Sequence, residues 1–127
     1  EDHAKALLHV ALNGKVGESY NIGGQSELKN IDVIRTICKI LDEVKPSKFK
    51  NFKKYEQLIS YVEDRPGHDK RYAVNISKIK KNLKWQPQET FKTGIKKTII
   101  WYLNNIEWCK KVQRGKYKGQ RLGKIKS

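Results

Sequence analysis

The sequence predicts an α/β chain that is mostly helical and contains only a few short strands. Several segments place apolar residues three and four positions apart, the spacing that gives a helix one apolar face, whereas only two short segments resemble strands. Hydrophobic residues make up 37% of the 127 positions, which is enough for one modest core. Because two short strands do not close a core against many helices, we expect them to complete a sheet whose other strands lie outside this chain.

The first helix is predicted to begin at Asp2, whose carboxylate can cap it, and to end at Gly14 in the left-handed cap conformation. Its apolar residues share one face, which we expect to be buried: Ala4, Leu7, Leu8, Ala11 and Leu12. Residues 18–22 then predict a short strand that stops at Gly23 and Gly24.

The second helix is predicted to start at Asn30 or Asp32 and to stop before Pro46. Its apolar face consists of Ile31, Ile34, Ile37, Cys38 and Leu41. Asn30 has two interpretations, a plain N-cap or a group that faces a ligand bound at the helix N-terminus. A basic connector with a short helix around Tyr55 follows, and residues 58–62 predict the second strand.

The loop after this second strand is the most informative polar feature, and its sequence is Asp64-Arg65-Pro66-Gly67-His68. Proline fixes its own φ and biases the preceding arginine toward extended backbone, and glycine permits a sharp turn. The loop can therefore hold a guanidinium and an imidazole in a defined relation, which suits a phosphate or pyrophosphate. An ordinary Pro-Gly turn with solvated charges fits these residues equally well.

Three more helices are predicted in the C-terminal half. Asn75 or Ser77 can cap the first of them, whose apolar residues are Ile76, Ile79 and Leu83. We interpret Trp85, which follows it, as a packing residue. Thr90 opens the longest helix, whose apolar stripe consists of Phe91, Ile95, Thr98, Ile99, Tyr102 and Leu103. The last helix holds Ile106, Trp108, Cys109 and Val112, and residues 114–127 are expected to form a basic, loosely held tail.

The net charge of +15 is compatible with a nucleic-acid partner. The lysines, however, are spread along nearly the whole chain, and only the tail is densely basic. A composition rich in lysine, isoleucine and asparagine also follows from AT-rich coding, whatever the function. We therefore disfavour nucleic-acid binding as the main function and keep a basic nucleic-acid-binding module as an alternative.

Several other kinds of site lack support in the sequence. No apolar run approaches the ~20 residues needed to cross a bilayer, and the first residues do not resemble a secretory signal. No spacing predicts a zinc or calcium site, and no tyrosine precedes a lysine by four positions. Gly14 and Gly17 resemble the start of a dinucleotide fingerprint, but a third glycine is missing and a helix precedes them.

We expect Cys38 to be a buried free thiol in a reducing compartment.

Five segments carry a family resemblance across nearly the whole chain. They are Glu-Asp-His-Ala-Lys-Ala-Leu at 1–7, Gly-Glu-Ser-Tyr-Asn-Ile-Gly-Gly at 17–24, Asp-Arg-Pro-Gly-His-Asp at 64–69, Trp-Gln-Pro-Gln-Glu-Thr-Phe at 85–91 and Trp-Tyr-Leu at 101–103. In this order they resemble the C-terminal third of the dTDP-glucose 4,6-dehydratase family, within the extended short-chain dehydrogenases. The Asp-Arg-Pro-Gly-His segment is the most specific of the five.

The resemblance implies a Rossmann-type NAD domain followed by a smaller nucleotide-sugar domain. Members of the family oxidise the sugar at C4 with NAD, eliminate water across C5 and C6, and return the hydride to C6. Their catalytic residues and dinucleotide fingerprint lie upstream of the matched region. This chain is therefore expected to carry no catalytic residue, and NAD is expected to bind in an N-terminal domain that the chain lacks.

The same resemblance defines domains and partners. Residues 1–113 are expected to be the C-terminal, mostly helical, nucleotide-sugar-binding portion of a Rossmann-type dehydratase, with residues 114–127 as the tail. The implied full-length protein is a cytoplasmic homodimer that binds a dTDP-sugar and no membrane, and it makes dTDP-4-keto-6-deoxyglucose for deoxysugar biosynthesis of the rhamnose type. Another nucleotide-sugar epimerase, dehydratase or decarboxylase is the alternative within the superfamily.

Carried over residue by residue, the implied substrate-binding positions are Asn30, Asp64, Arg65, Pro66, Gly67 and His68. The asparagine matches one that contacts the nucleotide sugar, the arginine is implied to contact the phosphates or the ribose, and the histidine is implied to donate a hydrogen bond to the same ligand. Lys84 departs from the family, which usually has glycine there. If that position is left-handed, lysine costs about 1 kcal/mol.

Overall fold

The computed structural model describes residues 1–64, 66–68 and 72–114. Its helices are α1 (Asp2–Asn13), α2 (Asn30–Val44), a short 3-10 helix (Tyr55–Leu58), α3 (Ser77–Leu83), α4 (Phe91–Asn104) and α5 (Ile106–Gln113). The chain divides into two compact units. The first unit comprises Glu1–Lys29 and Arg71–Gly94, and the second comprises Asn30–Lys70 and Ile95–Ser127.

The first unit has its core on α3. Ile76, Ile79 and Leu83 are buried, as the spacing of the short helix predicted. Four partly buried residues pack against this cluster: Val10, Tyr20, Ile22 and Trp85. The interpretation of Trp85 as a packing residue is therefore confirmed.

Two side chains of α1 bind the segment that follows α3. The carboxylate of Asp2 accepts hydrogen bonds from the backbone N–H groups of Gln88 and Glu89, at 2.9 and 2.8 Å. The imidazole of His9 donates from Nε2 to the carbonyl oxygen of Leu83 at 2.6 Å. The prediction that Asp2 caps α1 is wrong, because its carboxylate bonds this distant backbone and Glu1 occupies the cap position.

The predicted buried face of α1 is wrong as well. Leu7, Leu8 and Leu12 are exposed, with 74% of Leu12 accessible, whereas Ala6 is fully buried. The helix packs on α3 through the side that carries Ala6 and Val10. Periodicity identifies an apolar face, but the neighbouring element decides which side of a helix is covered.

Gly14 ends α1 in a different way from the one predicted. Its φ and ψ are −71° and 144°, which is extended backbone and not the left-handed cap. Its N–H donates to the carbonyl oxygen of Val10 at 2.7 Å, and a Cβ at this position would clash with that oxygen. Glycine is therefore required here by close approach to the preceding helical turn.

The two predicted strands do not form within the part of the chain that the structure describes. Residues 18–22 have no regular secondary structure, although Tyr20 and Ile22 pack on the core. Leu58 belongs to the 3-10 helix, and Tyr61 and Val62 are exposed. A strand exists only when a neighbouring strand accepts and donates its backbone hydrogen bonds, and no described segment pairs with either one. The mostly helical character of the prediction is confirmed.

The second unit is organised around α2. This helix starts at Asn30, which is one of the two predicted starts. Cys38 and Ile40 are its buried residues. The short helix predicted around Tyr55 is confirmed and packs on α2. The backbone N–H of Tyr55 donates to the Asp42 carboxylate at 3.0 Å, and its hydroxyl donates to the carbonyl oxygen of Lys45 at 3.0 Å.

The last two helices match their predicted positions. The hydroxyl of Thr90 accepts a hydrogen bond from the N–H of Thr93 at 3.2 Å, which caps α4. This helix has 14 residues against 15 for α2, so it is not the longest. Most of the predicted tail, residues 115–127, lies outside the described residues. Within the part of the chain that the structure describes, no helix is both long enough and apolar enough to cross a membrane.

Candidate functional site

The loop singled out by the sequence brings two ionisable side chains into close contact. In this loop Asp64, Pro66, Gly67 and His68 are described, whereas Arg65 lies outside the described residues. The Nδ1 atom of His68 lies 2.6 Å from Oδ1 of Asp64. The structure therefore brings together the two ends of the loop.

The backbone of the loop explains how its ends meet. Gly67 has φ +68°, in the left-handed region that costs other residues free energy, and a Cβ there would meet no atom within 4 Å. Pro66 precedes it and fixes its own φ. The requirement for glycine is therefore conformational and not steric, and Pro66 and Gly67 form a turn.

The side chains of the pair differ in their exposure to solvent. About 74% of the Asp64 side chain is accessible, against 31% of the His68 side chain. An ionised carboxylate only accepts hydrogen bonds, so the proton shared by the pair belongs to Nδ1 of the imidazole. Nε2, on the opposite side of the ring, has no hydrogen-bond partner within the described residues.

Asn30, the remaining predicted contact, is exposed at the first turn of α2. It belongs to the same compact unit as the loop. No described hydrogen bond connects it to Asp64 or His68. The first N–H groups of an α-helix have no partner within the helix, so this end of α2 carries donors as well as the asparagine amide.

The first unit contains a cleft that the sequence did not predict. It has a volume of about 480 Å³ and is lined by Asn13, Lys15, Glu18, Tyr20, Lys78, Asn82 and Leu83. The ammonium group of Lys78 lies 2.6 Å from the Glu18 carboxylate and 5.1 Å from the centre of the Tyr20 ring. The ammonium group of Lys78 thus binds the Glu18 carboxylate and the Tyr20 ring. Because Lys78 lies about sixty positions from Glu18 and Tyr20, no local sequence pattern could have predicted the cleft.

Cys38 is a buried free thiol, as predicted. Burial raises the pKa of this thiol, and the negative charges of Asp42 and Glu56 raise it further. The thiolate is the nucleophilic form of cysteine, so these surroundings suppress nucleophilic chemistry at Cys38.

Among the described residues, the Gly14 and Gly17 segment does not form a dinucleotide-binding turn, and no metal-binding cluster is found. Gly14 and Gly17 follow the C-terminal end of α1, and no helix starts directly after them, so they offer no helix N-terminus to a pyrophosphate. In the described ranges no three histidine, cysteine or acidic side chains lie close enough together to hold a metal ion.

The chain belongs to the GDP-mannose 4,6 dehydratase family, whose model matches residues 1–98. Among its relatives is a dTDP-glucose 4,6-dehydratase of Escherichia coli, 60% identical over 125 residues that make up 98% of this chain and 34% of the relative. A dTDP-glucose 4,6-dehydratase of Neisseria meningitidis is 52% identical over 97% of this chain and 35% of the relative. The family resemblance found in the five sequence segments is confirmed.

The structural comparison agrees. The crystal structure of dTDP-glucose 4,6-dehydratase from Bacillus anthracis in complex with NAD matches with a TM-score of 0.69 and 40% identity. The match covers 84% of this chain and 30% of that protein. The chain thus spans about a third of the length of the relatives it matches, in their C-terminal portion.

Proposed function

We propose that this chain is the nucleotide-sugar-binding C-terminal part of a dTDP-glucose 4,6-dehydratase, a lyase that converts dTDP-glucose to dTDP-4-keto-6-deoxyglucose. One observation carries this proposal, the 60% identity over 98% of the chain to a relative with that name. The proposed full-length enzyme is a cytoplasmic homodimer that uses NAD. Following the family resemblance, we assign NAD and the catalytic residues to the remaining two thirds of such an enzyme.

The role proposed for the chain is to hold the ligand. The binding residues are Asn30, Asp64, Arg65, Pro66, Gly67 and His68. A dTDP-sugar carries two negatively charged phosphates, and a guanidinium can bind phosphate oxygens through two parallel hydrogen bonds. The turn at Pro66 and Gly67 and the Nε2 atom of His68, for which the described residues provide no hydrogen-bond partner, support a binding role.

An arginine substitution in the full-length protein that contains this chain tests this role. Replacing Arg65 with alanine should raise KM for dTDP-glucose by about 10- to 100-fold and lower kcat less, because it removes binding energy and no reacting group. Arg114→Ala is the matched control, since this exposed arginine lies at the end of α5, and both kinetic constants should stay near those of the parent. A large fall in kcat with KM unchanged would contradict a binding role for the loop.

A second experiment tests where the catalytic residues lie. The 127-residue chain alone, supplied with NAD and dTDP-glucose, should form no 4-keto-6-deoxy product. Turnover by this chain would show that catalytic residues are present in it.

The name of the matching family favours a second candidate, a dehydratase or related enzyme that acts on another nucleotide sugar. Competition between dTDP-glucose, GDP-mannose and UDP-glucose for the full-length protein distinguishes the two. We expect dTDP-glucose to bind at least ten times more tightly than either competitor. Preferential binding of GDP-mannose would replace the proposed substrate and leave the family unchanged.

A further inference from the structure

We propose that Asp64 belongs to this binding set as a positioning residue: its carboxylate acts on the ligand through His68 and makes no contact of its own with the ligand. This inference rests on the proposed function, because it assumes that His68 contacts the dTDP-sugar. It assigns to the carboxylate a task different from that of its neighbours in the loop.

The contact of 2.6 Å between Oδ1 and Nδ1 decides which ring nitrogen faces the ligand. A neutral imidazole carries one proton, on either nitrogen, and the partner of one nitrogen fixes the state of the other. With its carboxylate on Nδ1, Asp64 keeps the proton there and holds the ring in one orientation. Nε2 is then the atom that the loop offers to a ligand.

Because Asp64 carries a negative charge, the direction in which its removal changes ligand affinity tests the inference. A carboxylate near a bound diphosphate repels it, so removal of a carboxylate that did nothing else would tighten binding. Removal of a positioning carboxylate should instead weaken binding, because His68 then samples other orientations and proton positions. The two interpretations therefore predict opposite changes in the dissociation constant.

The experiment uses dTDP as the probe and the full-length protein that contains this chain. Titration calorimetry should show dTDP binding about 3- to 30-fold weaker in Asp64→Ala, with partial recovery in Asp64→Asn, whose amide oxygen still accepts a hydrogen bond. Glu63→Ala removes the adjacent carboxylate as a control for charge and should leave binding unchanged or tighter. Thermal unfolding of each variant establishes that it is folded, and Asp64→Asn serves if the alanine variant is not.

A double-mutant cycle with His68→Gln separates indirect from direct action. If Asp64 acts through His68, the double variant should bind dTDP as weakly as His68→Gln alone, because the second substitution has nothing left to position. Multiplied effects of the two substitutions would mean that Asp64 contacts the ligand independently, which overturns the inference. An unchanged affinity in His68→Gln would instead refute the ligand contact on which the proposed function depends.

Nitrogen-15 NMR of the histidine rings measures which ring nitrogen of His68 carries the proton. This proton position would not change if Asp64 had only a structural role. In the parent protein the neutral ring of His68 should carry its proton on Nδ1, and Asp64→Ala should shift the proton toward Nε2. An identical proton distribution in the parent and in Asp64→Ala would also overturn the inference.

Discussion

The imidazole of His9 donates a hydrogen bond of 2.6 Å to the carbonyl oxygen of Leu83, which lies 74 positions further along the chain. Leu83 is the last residue of α3, where the final carbonyl groups have no partner within the helix. His9 therefore caps α3 from α1 and joins the two helices beside the core of the first unit.

Loss of this hydrogen bond should destabilise the protein. His9→Ala leaves a partly buried carbonyl oxygen without its donor, and we expect the free energy of unfolding to fall by about 1–2 kcal/mol. Urea denaturation measures this fall. His3→Ala is the control, because His3 is exposed on the same helix, and it should change the free energy by less than about 0.5 kcal/mol. Equal effects of the two substitutions would contradict the capping role of His9.

Lys84 offers a substitution that should stabilise the protein. It follows α3 with φ 57° and ψ 19°, the left-handed conformation that the usual glycine of the resembling family suggested for this position. Glycine adopts this conformation without the steric cost that a Cβ brings, so Lys84→Gly should raise the free energy of unfolding by about 0.5–1 kcal/mol.

Lys84→Ala is the matched control for that substitution. Alanine removes the same ammonium group but keeps the Cβ, so it should give no gain in the urea midpoint. If alanine stabilised the protein as much as glycine, the benefit would come from the lost charge and not from the backbone.

The buried thiol of Cys38 should react slowly. Its raised pKa, caused by burial and then by Asp42 and Glu56, keeps it protonated at a pH where an ordinary thiol begins to ionise. At pH 8 we expect an aromatic disulfide reagent to modify Cys109 about 10-fold faster than Cys38. The reaction should have a fast and a slow phase, and the variants Cys38→Ser and Cys109→Ser show which cysteine gives each phase. A fast phase that disappears in Cys38→Ser would contradict this prediction.

The same raised pKa affects stability at alkaline pH. Because the folded state holds the thiol proton more tightly than the unfolded state, its contribution is complete below the ordinary pKa of a thiol and is lost as pH rises through the raised value. Unfolding should therefore become easier in alkaline solution by an amount that Cys38→Ser abolishes.

The sequence predicted elements whose cause is local. Asn30 was one of two predicted starts for α2, Thr90 was predicted to open α4, and the buried residues in and just before α3 followed from their spacing. Each of these features depends on side chains a few positions apart. The predictions of strands at 18–22 and 58–62 were wrong. A strand needs a second segment for backbone hydrogen bonding, and no local pattern specifies whether that segment is present.

The candidate site was predicted in part. Its residue types and its Pro-Gly turn are evident in the sequence, and their assignment to ligand binding stays a prediction. The direction in which His68 presents its two ring nitrogens was not predictable, because it depends on where the Asp64 carboxylate lies after the turn. The cleft around Lys78 and Glu18 was missed altogether.

The sequence by itself determined the helix positions, the buried triad of Ile76, Ile79 and Leu83 and the family, because 3.6-residue periodicity and short motifs are properties of neighbouring residues. Only the tertiary structure decided that Asp2 bonds the backbone of Gln88 and Glu89 and that Ala6, not the leucines, lies on the buried side of α1. The physical reason is distance along the chain. A carboxylate bonds the donor that packing brings to it, and a donor 86 positions away leaves no trace in the residues around Asp2.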